Sequence, residues 1–205
     1  MGSITSPVTT TAPDVTSFGA GGQQYIASLR TGFNISQNQV NELFSFSSTD
    51  SNVPNARLLT NITEPRKVGS TMAFRAVRLG LRLVSLKTGG PVTPTEFANM
   101  KHLLQASDVT ITVGSNDTKI AEFSGLDLME PIDTVASDST ATCLAGPGLG
   151  GGIGWIPLAI PLEIQANCNI GGTVRFNTTV PSSLTTTPNS FAFIVILQGL
   201  KVVKS

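Results

Sequence analysis

Residues 76–85 read AVRLGLRLVS. Val77, Leu79, Leu81 and Leu83 fall on one side of a period of two, with Arg78, Gly80 and Arg82 on the other. That period belongs to a β-strand, whose successive side chains point to opposite faces. An amphipathic helix would instead space its apolar residues by three and four. The stretch therefore predicts a strand with one face in a core. The same alternation recurs along the chain. Val109, Ile111 and Val113 alternate with Asp108, Thr110 and Thr112; Leu162, Ile164 and Ala166 with Glu163 and Gln165; Val174 and Phe176 with Arg175 and Asn177. Residues 191–203, FAFIVILQGLKVV, are apolar on both faces and predict a strand covered on both sides. Weaker strands are expected near 29–35, 43–47, 57–62 and 119–124. Short strands separated by Gly, Pro, Asn and Ser turns read as an all-β sandwich or barrel.

One helix interrupts the strands, at about 93–106. Thr93 is its expected N-cap, Pro94 its first helical residue, and Glu96 closes a capping box. Val92 and Phe97 form the two ends of a hydrophobic staple. Phe97, Met100, Leu103 and Leu104 make one apolar stripe, so the helix should cover a core. Residues 1–24 are rich in Thr, Ser, Gly and Pro and lack periodicity, which reads as an extended N-terminal arm. Phe18 and Tyr25 are candidates to anchor it. No internal repeat is visible, so residues 25–205 read as a single domain.

Charge is the unusual bulk property. Asp, Glu, Lys and Arg make up 13% of the 205 residues and sum to a net charge of zero; a soluble domain typically carries about 25%. Such a surface suits a protein covered by its neighbours, and argues against nucleic-acid binding, which needs a basic face. Two cysteines, Cys143 and Cys168, are too few for a disulfide framework and read as thiols, buried or paired with each other. No apolar run of about 20 residues predicts a membrane span, and the first residues do not have the pattern of a secretory signal. MGSITS fits the short myristoylation pattern at Gly2 and Ser6, which a start codon alone also explains.

Catalytic chemistry finds little material. The lone histidine, His102, lies in the predicted helix, where a solvent-facing role is the plain reading. A cupin-like metal site in a barrel needs several His ligands and fails on that count. Asp127, Glu130, Asp133 and Asp138 cluster loosely, but their spacing matches neither a calcium loop nor one preferred glycosidase pair. Sequons at Asn34, Asn61, Asn116 and Asn177 are of the number a chain rich in Asn, Ser and Thr produces by chance. The segment GPGLGGGIGW, residues 146–155, contains a literal G-x-G-x-x-G at Gly146, Gly148 and Gly151. A dinucleotide fingerprint needs a strand before it and a helix after it. DSTATCLA is a poor strand, and Pro157 and Pro161 bar a helix. The loop reads as a long inter-strand connection ending on Trp155, the one tryptophan, whose ring can anchor it or meet a partner. No enzyme, cofactor or metal is expected. Phe18, Tyr25, Gly148, Gly151 and Trp155 are the candidate subunit-interface residues.

Two regions also resemble the capsid proteins of tailless icosahedral viruses of prokaryotes. LLTNITEPRKVGSTMAFRAVRLGLRL resembles the family's entry into a long first barrel strand. PLEIQANCNIGGTVRF and FAFIVILQGLKVV are similar to its closing hairpin and final apolar strand, through Leu162, Ile164, Ala166, Val174, Phe176, Leu197, Gly199 and Lys201. The resemblance spans roughly residues 57–86 and 160–203. It implies a single jelly-roll β-barrel, residing in the virion, that tiles with copies of itself and with other capsid proteins into an icosahedral shell, often around an internal membrane. The chain's length points to a single-barrel or vertex protein. A glycan- or receptor-binding jelly-roll module, such as a virion spike or lectin-like adhesin, is the alternative, weakened by an aromatic content of 6%.

Overall fold

The computed structural model describes residues 22–70, 72–88, 91–114, 118–125 and 155–204. They form two four-stranded antiparallel sheets packed face to face. The strands in chain order are β1 (Gly22–Asn34), β2 (Val40–Glu42), β3 (Met72–Ser85), β4 (Ser107–Val113), β5 (Thr118–Ser124), β6 (Trp155–Ile164), β7 (Ile170–Phe176) and β8 (Phe191–Lys204). The first sheet has the order β1-β8-β3-β6 and the second β2-β7-β4-β5. Four of the ladders pair first strand with last, second with seventh, third with sixth, and fourth with fifth. The remaining two, β3 with β8 and β4 with β7, join those pairs into sheets.

The predicted alternation decides which residues meet between the sheets. Leu79, Leu81 and Leu83 of β3 and Phe193, Val195 and Leu197 of β8 are buried against Val109 and Ile111 of β4 and Val174 and Phe176 of β7. Phe33 and Phe193 stack with ring centroids 5.6 Å apart, and Phe176 from the opposite sheet meets Phe193 edge-on at 5.7 Å. Such ring pairs add to plain area burial and tie the two layers together.

The final strand is covered on both sides, as its composition requires. Phe191, Phe193 and Val195 enter the main core. Ala192 and Ile194 on the reverse face are buried beneath Leu59, with Phe46, Val53, Val84 and Leu86 around them. Leu59 belongs to α1 (Ala56–Leu59), a single helical turn. This corrects the expected strand at 57–62. Asn55 takes a left-handed conformation at φ 64° and starts the turn, and Ala56 and Leu59, three apart, are both buried, Leu59 against the reverse face of β8. The strand expected at 43–47 is likewise displaced. Its place in the second sheet goes to β2; Leu43 still donates its N–H to the Gly172 carbonyl of β7 at 2.9 Å, and the side chains of Leu43 and Phe44 plug the core. Phe44 has φ 58°, and its N–H donates to the buried Thr31 hydroxyl at 2.7 Å.

Val77 is a further correction. Phe74 and Ala76 face the core, and so do Leu79, Leu81 and Leu83, which leaves one residue too many for strict alternation. The register slips between Ala76 and Arg78 against both neighbouring strands, and Val77 bulges out to solvent. On β6 the four residues Leu158, Ala159, Ile160 and Pro161 lie within the same slip, so that Ile160 is 84% exposed. Both prolines of β6 are tolerated because it is an edge strand. Ala166 lies beyond the end of β6 rather than in its alternation.

The helix forms as expected, as α2 (Pro94–Gln105), with the reciprocal Thr93–Glu96 capping box in place. Phe97, Met100, Leu103 and Leu104 are its buried face. Lys87, just after β3, donates to Glu96 at 2.6 Å and locks the helix start to the sheet.

Candidate functional site

Each sheet has an outer face, and that of the first sheet carries the unusual chemistry. Residues in register across β1, β8, β3 and β6 form rows that point away from the core. One row is Arg30, Ile196, Gly80, Trp155; the next is Ser28, Gln198, Arg78, Pro157; the next is Ile26, Leu200, Arg75, Glu163. Arg82 follows beside Ile194. Four arginines therefore share one face, and Glu163 is the single carboxylate anywhere in those four strands.

Local geometry holds most of these guanidinium groups in place. Arg75 pairs with Glu163 at 2.8 Å. Arg78 donates from Nε to the Gln198 amide oxygen, and its guanidinium lies 4.7 Å from the centre of the Trp155 ring. Arg30 donates to the Arg57 carbonyl at 2.8 Å. The indole lies flat enough on the sheet that a Cβ at Gly80 would come within 3.0 Å of it, so Gly80 makes the room that Trp155 occupies. From strand geometry the Cα atoms of Arg78 and Arg82 are about 13 Å apart, and that of Arg30 is about 12 Å from either. The groups are a spread field rather than a clamp for one phosphate.

Half of this face is covered by α1 and the loop around it. The other half presents Ile26, 78% exposed, and Val77 and Ile160 are exposed within the slip between β3 and β6. The edge of β1 is partly closed by Asn61, whose amide imitates a neighbouring strand. Its oxygen accepts from Arg30 N–H and its nitrogen donates to the Ser28 carbonyl, both at 2.7 Å. Edge strands are commonly blunted by such devices.

Of the five interface candidates, Trp155 opens β6 on this outer face. Tyr25 is exposed on β1 but has the opposite phase, beside Lys201, whose Nζ lies 5.7 Å from its ring. The two are not brought together. Phe18, Gly148 and Gly151 lie outside the described residues, as do Cys143 and the carboxylates Asp127, Glu130, Asp133 and Asp138. The residues after the glycine loop form β6, a strand and not the helix that a dinucleotide fingerprint requires. Cys168 is a half-buried free thiol. His102 is exposed, with Nε2 3.5 Å from the Thr178 hydroxyl. Among the described residues no three of His, Cys, Asp and Glu gather at one point. The sequon amides of Asn34, Asn61 and Asn177 donate to Pro54, Ser28 and Asp108.

The arginine face was hidden in the sequence because its members come from distant positions. Its one linear signal was Arg78 and Arg82 on the polar side of AVRLGLRLVS. No protein-family model matches the chain, and no curated protein aligns with it significantly.

Proposed function

We propose that the chain is a jelly-roll structural subunit of a viral capsid, tiling with copies of itself and with other capsid proteins into an icosahedral shell, without catalysis. The observation that carries the reading is the nesting of the ladders: strands one and eight, two and seven, three and six, four and five are paired. A long antiparallel ribbon rolled up on itself has this pairing, and eight strands in two sheets of Greek-key connection are what a jelly roll needs. The resemblance of residues 57–86 and 160–203 to capsid proteins of tailless viruses supports the same reading. So does the low charge, which suits lateral packing of symmetric copies. The virion shell is then its location, and an underlying viral membrane a neighbour of that shell.

The test is the state of the purified protein and of particles that contain it. Sedimentation and negative-stain imaging should give closed or sheet-like assemblies with the chain present in many copies. A chain that stays monomeric at every concentration and is absent from particles would end the proposal. A monomer that instead binds immobilised glycans would favour the adhesin-like alternative.

A further inference from the structure

The chain's neutrality hides a segregation of charge. All thirteen Lys and Arg fall among the described residues, which hold only seven Asp and Glu, a net of +6. Four of the other six carboxylates, Asp127, Glu130, Asp133 and Asp138, lie in residues 126–154, a stretch with no basic residue. We infer that the part of the first sheet's outer face that α1 leaves open is the docking surface for residues 126–154 of the same chain.

Three observations meet in this assignment. The signs match: Arg78 and Arg82 are exposed on the face, Arg30 and Arg75 lie behind them with Glu163 as the one carboxylate, and the segment carries four carboxylates. The apolar content matches as well: Leu128, Met129, Ile132 and Val135 are interleaved with those carboxylates, and the face exposes Ile26, with Val77 bulging out between Arg75 and Arg78. Thirdly, the segment ends where the face begins. Residue 155 is the tryptophan that lies on Gly80 beneath Arg78. A peptide tethered there samples the face at an effective concentration of about the millimolar scale, so weak individual contacts suffice.

A nucleic acid fits the face less well. Phosphate tracks are gripped by several free cationic groups in line. Here Arg30, Arg75 and Arg78 are each oriented by a partner within the chain, and aliphatic side chains interrupt them. The inference does not depend on the assembly reading, since it concerns one chain.

Arginine footprinting on the full-length protein tests it. Phenylglyoxal modification followed by mass spectrometry reads Arg78 and Arg82, both exposed in the described residues, against Arg175, which is exposed on the second sheet. Neutralising the segment with D127N/E130Q/D133N/D138N should speed modification of Arg78 and Arg82 by about threefold or more, the scale of one surface ion pair, and leave Arg175 unchanged. Salt at about 1 M, where the screening length falls to roughly 3 Å, should do the same in the unaltered protein. That second arm keeps the test decisive if the variant folds poorly. Rates at Arg78 and Arg82 that ignore both changes would overturn the inference. So would protection that vanishes on dilution, because the occupant would then be a second copy.

Discussion

Gly199 and Gly80 both lie in the first sheet, yet the same methyl group should have very different consequences at the two sites. A Cβ at Gly199 would sit 1.8 Å from the Arg75 carbonyl oxygen and 2.7 Å from its carbon, both backbone atoms of β3. Real Cβ contacts stay beyond 3.0 Å, so β3 and β8 would have to part locally by 1.2 Å. A ladder hydrogen bond of about 2.9 Å stretched by that amount is no longer a hydrogen bond. Losing about two of them, at ~1 kcal/mol each, adds to an overpacking cost of ~1–3 kcal/mol. Gly199→Ala should therefore cost about 3–5 kcal/mol, and lower the melting temperature by roughly 6–20 °C for a chain of this size. At Gly80 the nearest atoms belong to the Trp155 ring, at 3.0 and 3.1 Å. A ring can tilt by a few tenths of an ångström, so Gly80→Ala should cost about 1 kcal/mol or less. It should instead change the emission of the single tryptophan. Thermal melts followed by circular dichroism, with tryptophan fluorescence on the same samples, separate the two effects. If Gly199→Ala melts within a degree or two of the parent, or if Gly80→Ala is the more damaging change, the closeness of β3 and β8 at the bulge has been misjudged.

Other predictions rest on single interactions. Thr31→Val removes the buried acceptor of Phe44 N–H and should cost about 1–3 kcal/mol by denaturant titration, whereas Thr31→Ser, which keeps the oxygen, should cost less. Asn61→Ala should strip the strand mimic from the β1 edge; hydrogen exchange at the Arg30 amide should accelerate, and light scattering on heating should set in earlier. At Glu96 burial pushes the carboxyl up, but hydrogen bonds from Lys87 and Thr93 and the attraction of Lys87 together hold it below 4.5. A carboxylate depressed in the folded state stabilises above its unfolded value, and that stability is lost as pH falls through the folded value. The melting-temperature gap between the parent and Glu96→Gln should thus be full near neutrality and shrink below pH 4.5; a gap that is constant with pH would contradict the Lys87 pairing.

The elements whose burial is local in origin were readable from the sequence. The helix at Pro94–Gln105 follows from Thr93, Pro94 and Glu96, whose hydrogen bonds close within one turn. The strands β4 and β7 follow from alternation, and the double-sided burial of β8 from its unbroken apolar run. Val77 was misread because a bulge leaves no mark on a single strand; it exists only as a slip against β6 and β8. Residues 57–62 were misread for a related reason. Leu59 forms part of a helical turn because Ala192 and Ile194, far along the chain, offer it an apolar surface.

The candidate site belongs to the same second category. Composition reported a neutral, charge-poor chain, and neutrality is a sum that carries no positions. Strand pairing gathers Arg30, Arg75, Arg78 and Arg82 onto one face, and leaves Asp127, Glu130, Asp133 and Asp138 in the stretch that leads to Trp155. Sequence alone determined that there would be strands, one capped helix and a two-sided final strand, because period and capping act over a few residues. Which side chains became neighbours was decided by the tertiary structure, because the register of ladders between distant strands is set by where the core packs.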